Sequence, residues 1–229
     1  MSLVVLIRHA HSTANEAGLL SGQRSGVHLS EKGRKQAREL THRLGGLPLK
    51  TLRSSPLERC RETIEPWRKK FAPEVEVEIE DDLLEIDYGN WSGRKLRTLV
   101  KEPLWSIVQN QPSRVIFPGG EAMAAMQTRA LGALYRALDA PGKGHILLIS
   151  HGDVLKSIVA SAMGMHLDEF QRIVLDPASI SLLDFSAGKG RVLLMNGSPS
   201  KISEILATTH SKRLLVGGGS GITSKKKSS

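Results

Sequence analysis

The chain has 229 residues, of which 40% are hydrophobic and 24% charged, a balance that suits one soluble α/β domain of ordinary size. No apolar run is long enough to span a bilayer, the apolar N-terminus lacks the basic segment of a signal peptide, and Cys60 alone allows no intramolecular disulfide, so a cytoplasmic protein with no membrane association is expected. The formal net charge is +9, but Lys201, Lys212, Arg213, Lys225, Lys226 and Lys227 against Glu204 place more than half of that excess beyond residue 199; the mildly positive body suits a small anionic ligand and does not require nucleic acid.

In chain order, Leu3–Ile7 is a continuous β-rich apolar run, as expected of a strand buried on both faces. Ser30 is placed to cap a helix on which Ala37, Leu40 and Leu44 share a face, and Gly45-Gly46 ends it. Thr51–Ser54 reads as a short strand. Pro56 suits the first turn of a helix running toward Lys70, with a kink or break expected at Pro66. Val75–Ile79 alternates like an edge strand with one wet face. Residues 83–93 read as a loop, Leu96–Val108 as a helical region interrupted at Pro103, and Gly120–Leu138 as a long helix. His145–Ile149 is a buried strand, Val154–Met163 a helix, and Ile180–Phe185 and Arg191–Met195 two further strands. Strands alternating with helices predict an α/β fold in three layers, α/β/α, around a mostly parallel central sheet. Composition shifts after about Asn196, which divides the chain into a domain over residues 1–199 and a flexible basic tail over 200–229.

Two segments share one grammar. Val4-Val5-Leu6-Ile7-Arg8-His9-Ala10 and Ile146-Leu147-Leu148-Ile149-Ser150-His151-Gly152 each run from an aliphatic strand through a polar residue and a histidine to a small residue. Ligands of open parallel sheets bind beyond the carboxyl ends of strands, so neighbouring strands would bring His9 and His151 together there. A lone histidine after a strand is more often a hydrogen-bonded structural residue; two in the same context favour a site. A metal site is an alternative, but Arg8 and Arg59 would repel a cation and would instead hold a phosphate by forked, charge-assisted hydrogen bonds.

The order of motifs extends this. Leu6–Asn15 resembles the Arg-His-Gly signature of the histidine phosphatases, also called phosphoglycerate-mutase-like. Leu29–Gly33 is similar to that family's Leu-Ser-x-x-Gly, Ser54–Thr63 to its Ser-Ser-Pro-Leu-x-Arg-x-x-x-Thr, Leu84–Gly93 to its glutamate segment, Pro118–Glu121 to its Pro-Gly-Gly-Glu, and Ser150-His151-Gly152 to its late histidine motif. Together with Phe170–Val174 and Asp176-Pro177, the pattern is most similar to an actinobacterial branch of probable phosphomutases or phosphatases. Ala10 departs from the signature glycine, which is acceptable if the position demands smallness and not a positive φ. His11 stands where the family often has Glu or Gln.

The resemblance implies a metal-free, cofactor-free enzyme acting on a small phosphorylated metabolite. It makes His9 the nucleophile, and it places Arg8, Arg59, His151, Asn15 and Gly152 around the phosphoryl group. Glu85 is the implied general acid, with Asp87 a weaker candidate. Cys60 is read as a small buried filler, Trp91 as packing behind the Glu85 loop, and Gly119-Gly120 either as the start of the next helix or as pocket lining. A phosphatase is expected ahead of a phosphoglycerate-type mutase, because residues 94–118 are too few for the insertion of the true mutases. A catalytically silent anion-binding module is the remaining alternative.

Overall fold

The computed structural model describes residues 2–198; the expected tail at 200–229 lies outside the described residues. Strands β1 (Leu3–Arg8), β2 (Leu49–Ser54), β3 (Glu78–Ile79), β4 (His145–Ser150), β5 (Ile180–Asp184) and β6 (Arg191–Gly197) form one sheet in the order β3-β2-β4-β1-β5-β6. β3, β2, β4 and β1 run parallel, whereas β5 and β6 are antiparallel additions beside β1. The sheet is mixed, with four of its six strands parallel, in keeping with the mostly parallel expectation.

Helices α1 (Thr13–Ala17), α2 (Glu31–Leu44), α3 (Glu58–Phe71), α4 (Leu96–Leu99), α5 (Pro103–Asn110), α6 (Met123–Asp139) and α7 (Gly152–Ala162) connect the strands. The strand alternation sorts the core into two layers. Val4, Leu6, Ile146 and Leu148 face a cluster with Met126, Ala130 and Leu134 of α6 and Leu155, Ile158 and Val159 of α7. Val5, Ile7, Leu147 and Ile149 face the opposite cluster, with Leu40 of α2 and Ile64 and Trp67 of α3. Helices therefore cover both faces, which is why residues 3–7 of β1 and 146–149 of β4 are apolar without a break. No helix among the described residues is long and apolar enough to cross a membrane.

Several local expectations need correction. Pro56 precedes the Leu57 N-cap of α3 and so lies outside its first turn, and α3 continues through Pro66 without a break. Of Val75–Ile79 only Glu78 and Ile79 pair as a strand, because Val75 and Val77 turn into the cluster beneath α3. α6 begins at Met123, after the Gly119-Gly120 turn. The interruption expected at Pro103 is present: the proline is the first residue of α5, where its missing N–H costs nothing.

Ser30 caps α2 as expected, its side chain accepting from the Gly33 N–H at 3.2 Å. The same turn grips the segment after β1: the Ser30 N–H donates to the His11 carbonyl at 3.0 Å. Gly33 is required by that approach, because a Cβ there would lie 1.9 Å from the His11 carbonyl oxygen.

Candidate active site

β1 and β4 are adjacent and parallel, with Arg8 opposite Ser150. The next residues, His9 and His151, therefore leave the same sheet edge, and the His9 N–H donates to the Ser150 carbonyl at 2.9 Å. Their ring centroids are 5.2 Å apart and tilted by 59°. β2 flanks β4 on its other side and delivers Ser55, whose N–H donates to the Ile149 carbonyl at 2.9 Å. α3 follows and brings Arg59 in on its first turn. Arg8, His9, Arg59, Glu85 and His151 are all buried, and the charges of Arg8 and Arg59 act on both His9 and Glu85.

The tautomer of His9 follows from one contact. Its Nδ1 lies 2.8 Å from the Ala10 carbonyl, an oxygen that can only accept. Nδ1 therefore carries the hydrogen and Nε2 keeps its lone pair. Burial, then the Arg59 and Arg8 charges, push the His9 pKa well below its ordinary value, so the ring is neutral at pH 7. His151 is held neutral for the same reasons, burial first and then Arg59. Its Nε2 lies 2.8 Å from the Ser55 hydroxyl and 3.4 Å from the Cys60 sulfur.

Ala10 is fully buried, packs with Leu29, Ala37 and Ala178, and gives its N–H to the Thr63 hydroxyl at 2.8 Å. It is not among the residues at positive φ, so smallness is what this position demands. Ala178 is in the left-handed region at φ 60, and its N–H reaches the carbonyls of both Arg8 and His9, at 3.1 and 3.2 Å.

The cations are set for an anion. Arg59 gives Nη2 to the Gly22 carbonyl at 2.7 Å, while its Nε and Nη1 are buried with no hydrogen-bond partner. Such orphaned donors are rare unless a ligand completes them. Arg8 gives Nη1 to the Leu175 carbonyl at 2.5 Å. Gly152 is the first residue of α7, with His151 as N-cap, so the unpaired N–H groups of that helix start face the same edge. Asn15 is exposed on α1, and its Oδ1 accepts from the Ser12 N–H at 3.0 Å in a capping box, which leaves only its amide nitrogen to donate to a ligand. Among the described residues no group of His, Cys, Asp and Glu is arranged to hold a metal ion.

Glu85 follows the 3-10 turn Asp81–Leu83 and is buried, its side chain accepting from the Ile86 N–H at 3.1 Å. Burial and the Asp153 charge push its pKa up to about 7, against the pull of Arg59 and Arg8. Its loop is held from behind. Arg129 of α6 pairs with both oxygens of Glu121, at 2.7 and 2.9 Å, and donates to the carbonyls of Asp82, Leu84 and Glu85. Gly119-Gly120 precedes α6 without starting it and packs backbone to backbone against this loop, where a Cβ on Gly120 would lie 2.4 Å from the Asp87 carbonyl oxygen. Asp87 spends its Oδ1 on the Gly89 N–H at 2.9 Å. Trp91 is buried against Phe117 and Trp105. Cys60 is fully buried and its thiol is pushed up to about 12 by burial, a filler and not a nucleophile.

Sequence reasoning missed a buried polar chain behind the site. The Tyr88 hydroxyl donates to Asp153 Oδ2 at 2.7 Å, and Lys156 Nζ lies 3.4 Å from Asp153 Oδ1 and 2.6 Å from Gln171 Oε1. Lys156 also sits over the Phe170 ring at 4.3 Å. A signal was available: Asp153 and Lys156 are one helical turn apart in a helix whose other residues carry no charge and whose first nine are buried.

With this geometry in hand, the likenesses are specific. The family model for the histidine phosphatase superfamily (branch 1) matches residues 4–198. Phosphoserine phosphatase 1 of Hydrogenobacter thermophilus is 30% identical over 202 residues, which cover 86% of this chain and 92% of that protein. The probable phosphoglycerate mutase GpmB of Cronobacter sakazakii is 32% identical over 188 residues, 81% and 86% of the two chains. Among solved structures, the alpha-ribazole phosphatase of Shigella flexneri superposes with a TM-score of 0.74 at 26% identity, covering 85% of this chain and 96% of that one. Bacillus stearothermophilus YhfR shares the fold with a TM-score of 0.79 at 24% identity, over 86% and 98%.

Proposed function

The chain belongs to the histidine phosphatase superfamily, and from that premise we propose that it hydrolyses a small alkyl phosphate monoester through a phosphohistidine on His9. The observation that carries the reading is the His9 Nδ1 contact with the Ala10 carbonyl, which leaves Nε2 as a neutral nucleophile. In the first step Nε2 attacks phosphorus as the P–O bond to the leaving group breaks, and Glu85 gives its proton to the departing oxygen. Arg8, Arg59, His151, Asn15 and the Gly152 N–H neutralise and orient the phosphoryl oxygens. In the second step Glu85 takes a proton from water, the water oxygen attacks phosphorus, the P–N bond breaks and phosphate leaves.

A carboxylic acid that keeps its proton near pH 7 suits leaving groups that need one: the alkoxides of hydroxy acids, sugars or other alcohols. Phosphoserine and phosphoglycerate, named for two relatives, are both of this kind. The catalytic unit is assigned to residues 1–199, and the single buried cysteine fits a reducing cytoplasm. Mutase activity is the second reading, favoured by the GpmB likeness. The short 94–118 segment favours hydrolysis over it.

Phosphate release over a panel of phosphorylated metabolites, set beside an aryl phosphate and phosphoglycerate isomerisation, tests the reading. His9→Ala should cost roughly a thousandfold or more. Glu85→Gln should cost about a hundredfold or more on alkyl esters and far less on aryl esters. Retained turnover without His9 contradicts the mechanism, and isomerisation outpacing phosphate release makes the protein a mutase.

A further inference from the structure

Asp153 is fully buried, one helical turn before Lys156 and two residues after His151. Its Oδ2 accepts from the Tyr88 hydroxyl, 2.7 Å away, and Tyr88 stands three residues after Glu85 on the same loop. The Tyr88 ring is itself fixed, buried edge-on against Phe117 with centroids 5.0 Å apart. One carboxylate thus ties the glutamate loop to the helix that starts at the second histidine.

We propose that Asp153 is a positioning residue for the reaction: through Tyr88 it fixes the glutamate loop, and it sets a buried carboxylate against the two arginines around Glu85. The inference rests on Glu85 being the general acid. The groups facing Glu85 make the role specific. Arg59 from α3 and Arg8 from β1 favour the ionised carboxylate and pull against burial. Asp153 from α7 opposes them, and after burial it is the largest influence raising the Glu85 pKa. Cys60 and Tyr88 face the same space as neutral groups at pH 7, both pushed above their ordinary range by burial. Lys156 of α7 also acts on Glu85 as a cation, its ammonium 3.4 Å from Asp153 Oδ1 and shared with Gln171 and the Phe170 ring. The step served is the first: the Glu85 O–H bond breaks as its proton moves to the leaving oxygen, and the P–O bond breaks with it.

The test is the pH profile of kcat/KM for Asp153→Asn, on the best alkyl phosphate and on p-nitrophenyl phosphate. Asparagine can still accept from Tyr88 but carries no charge. The basic limb on the alkyl ester should move about one unit to lower pH, with the aryl profile unmoved. A basic limb that stays in place overturns the inference while leaving Glu85 as the acid. Equal losses in Glu85→Gln on the two esters would instead remove the reading beneath it. Should Asp153→Asn not fold, Tyr88→Phe decides. That variant keeps the charge and cuts the tie, so kcat on the alkyl ester should fall about tenfold with KM unchanged and the aryl ester largely spared. Equal losses on both substrates overturn the inference.

Discussion

At the scale of single residues, the site separates two titrating groups in opposite directions. His9 is held neutral by burial and flanking cations, and Glu85 is held protonated by burial and Asp153. Environments that push such a pair apart suit the two groups to the proposed roles of nucleophile and acid. The arrangement has a cost in stability. Glu85 keeps its proton in the fold up to about pH 7, whereas the unfolded chain loses it near the ordinary value of 4.5. The folded state therefore binds more protons between those limits, and stability drains away as pH rises through the window. Replacing Glu85 by Gln should stabilise the protein by up to about 3 kcal/mol at pH 8 and by little at pH 4.5, read from urea unfolding at the two pH values. An equal effect at both would mean that Glu85 titrates as an ordinary carboxylate. His9, Arg8, Arg59 and His151 were legible in the sequence because each sits in a short local pattern next to a strand or helix start. Asp153, Tyr88 and Lys156 were not, because their meaning lies in a contact across 65 residues of chain.

At the scale of elements, backbone contacts do much of the positioning. α2 begins against the His11 carbonyl, and Gly33 is the residue that admits it. A methyl group there must displace either the helix or the loop that carries His9. Gly33→Ala should cost about 1–3 kcal/mol in stability and lower kcat/KM roughly a hundredfold. A folded variant with full activity, by thermal melt and phosphate release, would mean that the loop tolerates the displacement. The glutamate loop is built the same way, from Arg129 bonded to three of its carbonyls and Gly120 lying on its backbone. Most strands and helices were readable from hydrophobic period and end signals. The exceptions share a cause. Val75 and Val77 alternate as a strand would, but their burial is beneath α3 and their pairing partners run out. The 3-10 turns at Asp81–Leu83 and Gly89–Trp91 carry no periodic signal of their own: the first is held by Arg129 of α6, and the second by the Pro118 carbonyl, which accepts from the Asn90 N–H. The antiparallel direction of β5 and β6 depends on how the chain returns after α7, which no local pattern records.

At the scale of the whole molecule, the two buried neutral histidines couple the fold to pH. Both have folded-state pKa values well below the ordinary value of 6.5, so below that pH the unfolded chain takes up protons that the fold refuses. Their share of stability is full above about pH 6.5 and is lost as the solution turns acid. In His9→Gln the rise of unfolding free energy between pH 5 and 6.5 should be shallower than in the parent by up to about 1.4 kcal/mol per pH unit. An unchanged slope in denaturant titrations would show that His9 protonates freely in the fold. The position of β1 has another consequence. It is the first strand made, yet its neighbours on either edge are β4 and β5, both from the second half of the sequence. During synthesis, LVVLI leaves the ribosome with no partner for either edge, and it waits roughly ten to thirty seconds at ordinary elongation rates before residue 145 follows. Until then the newborn chain carries His9 at the end of a β-rich ribbon whose two edges are open, a template for pairing with other chains.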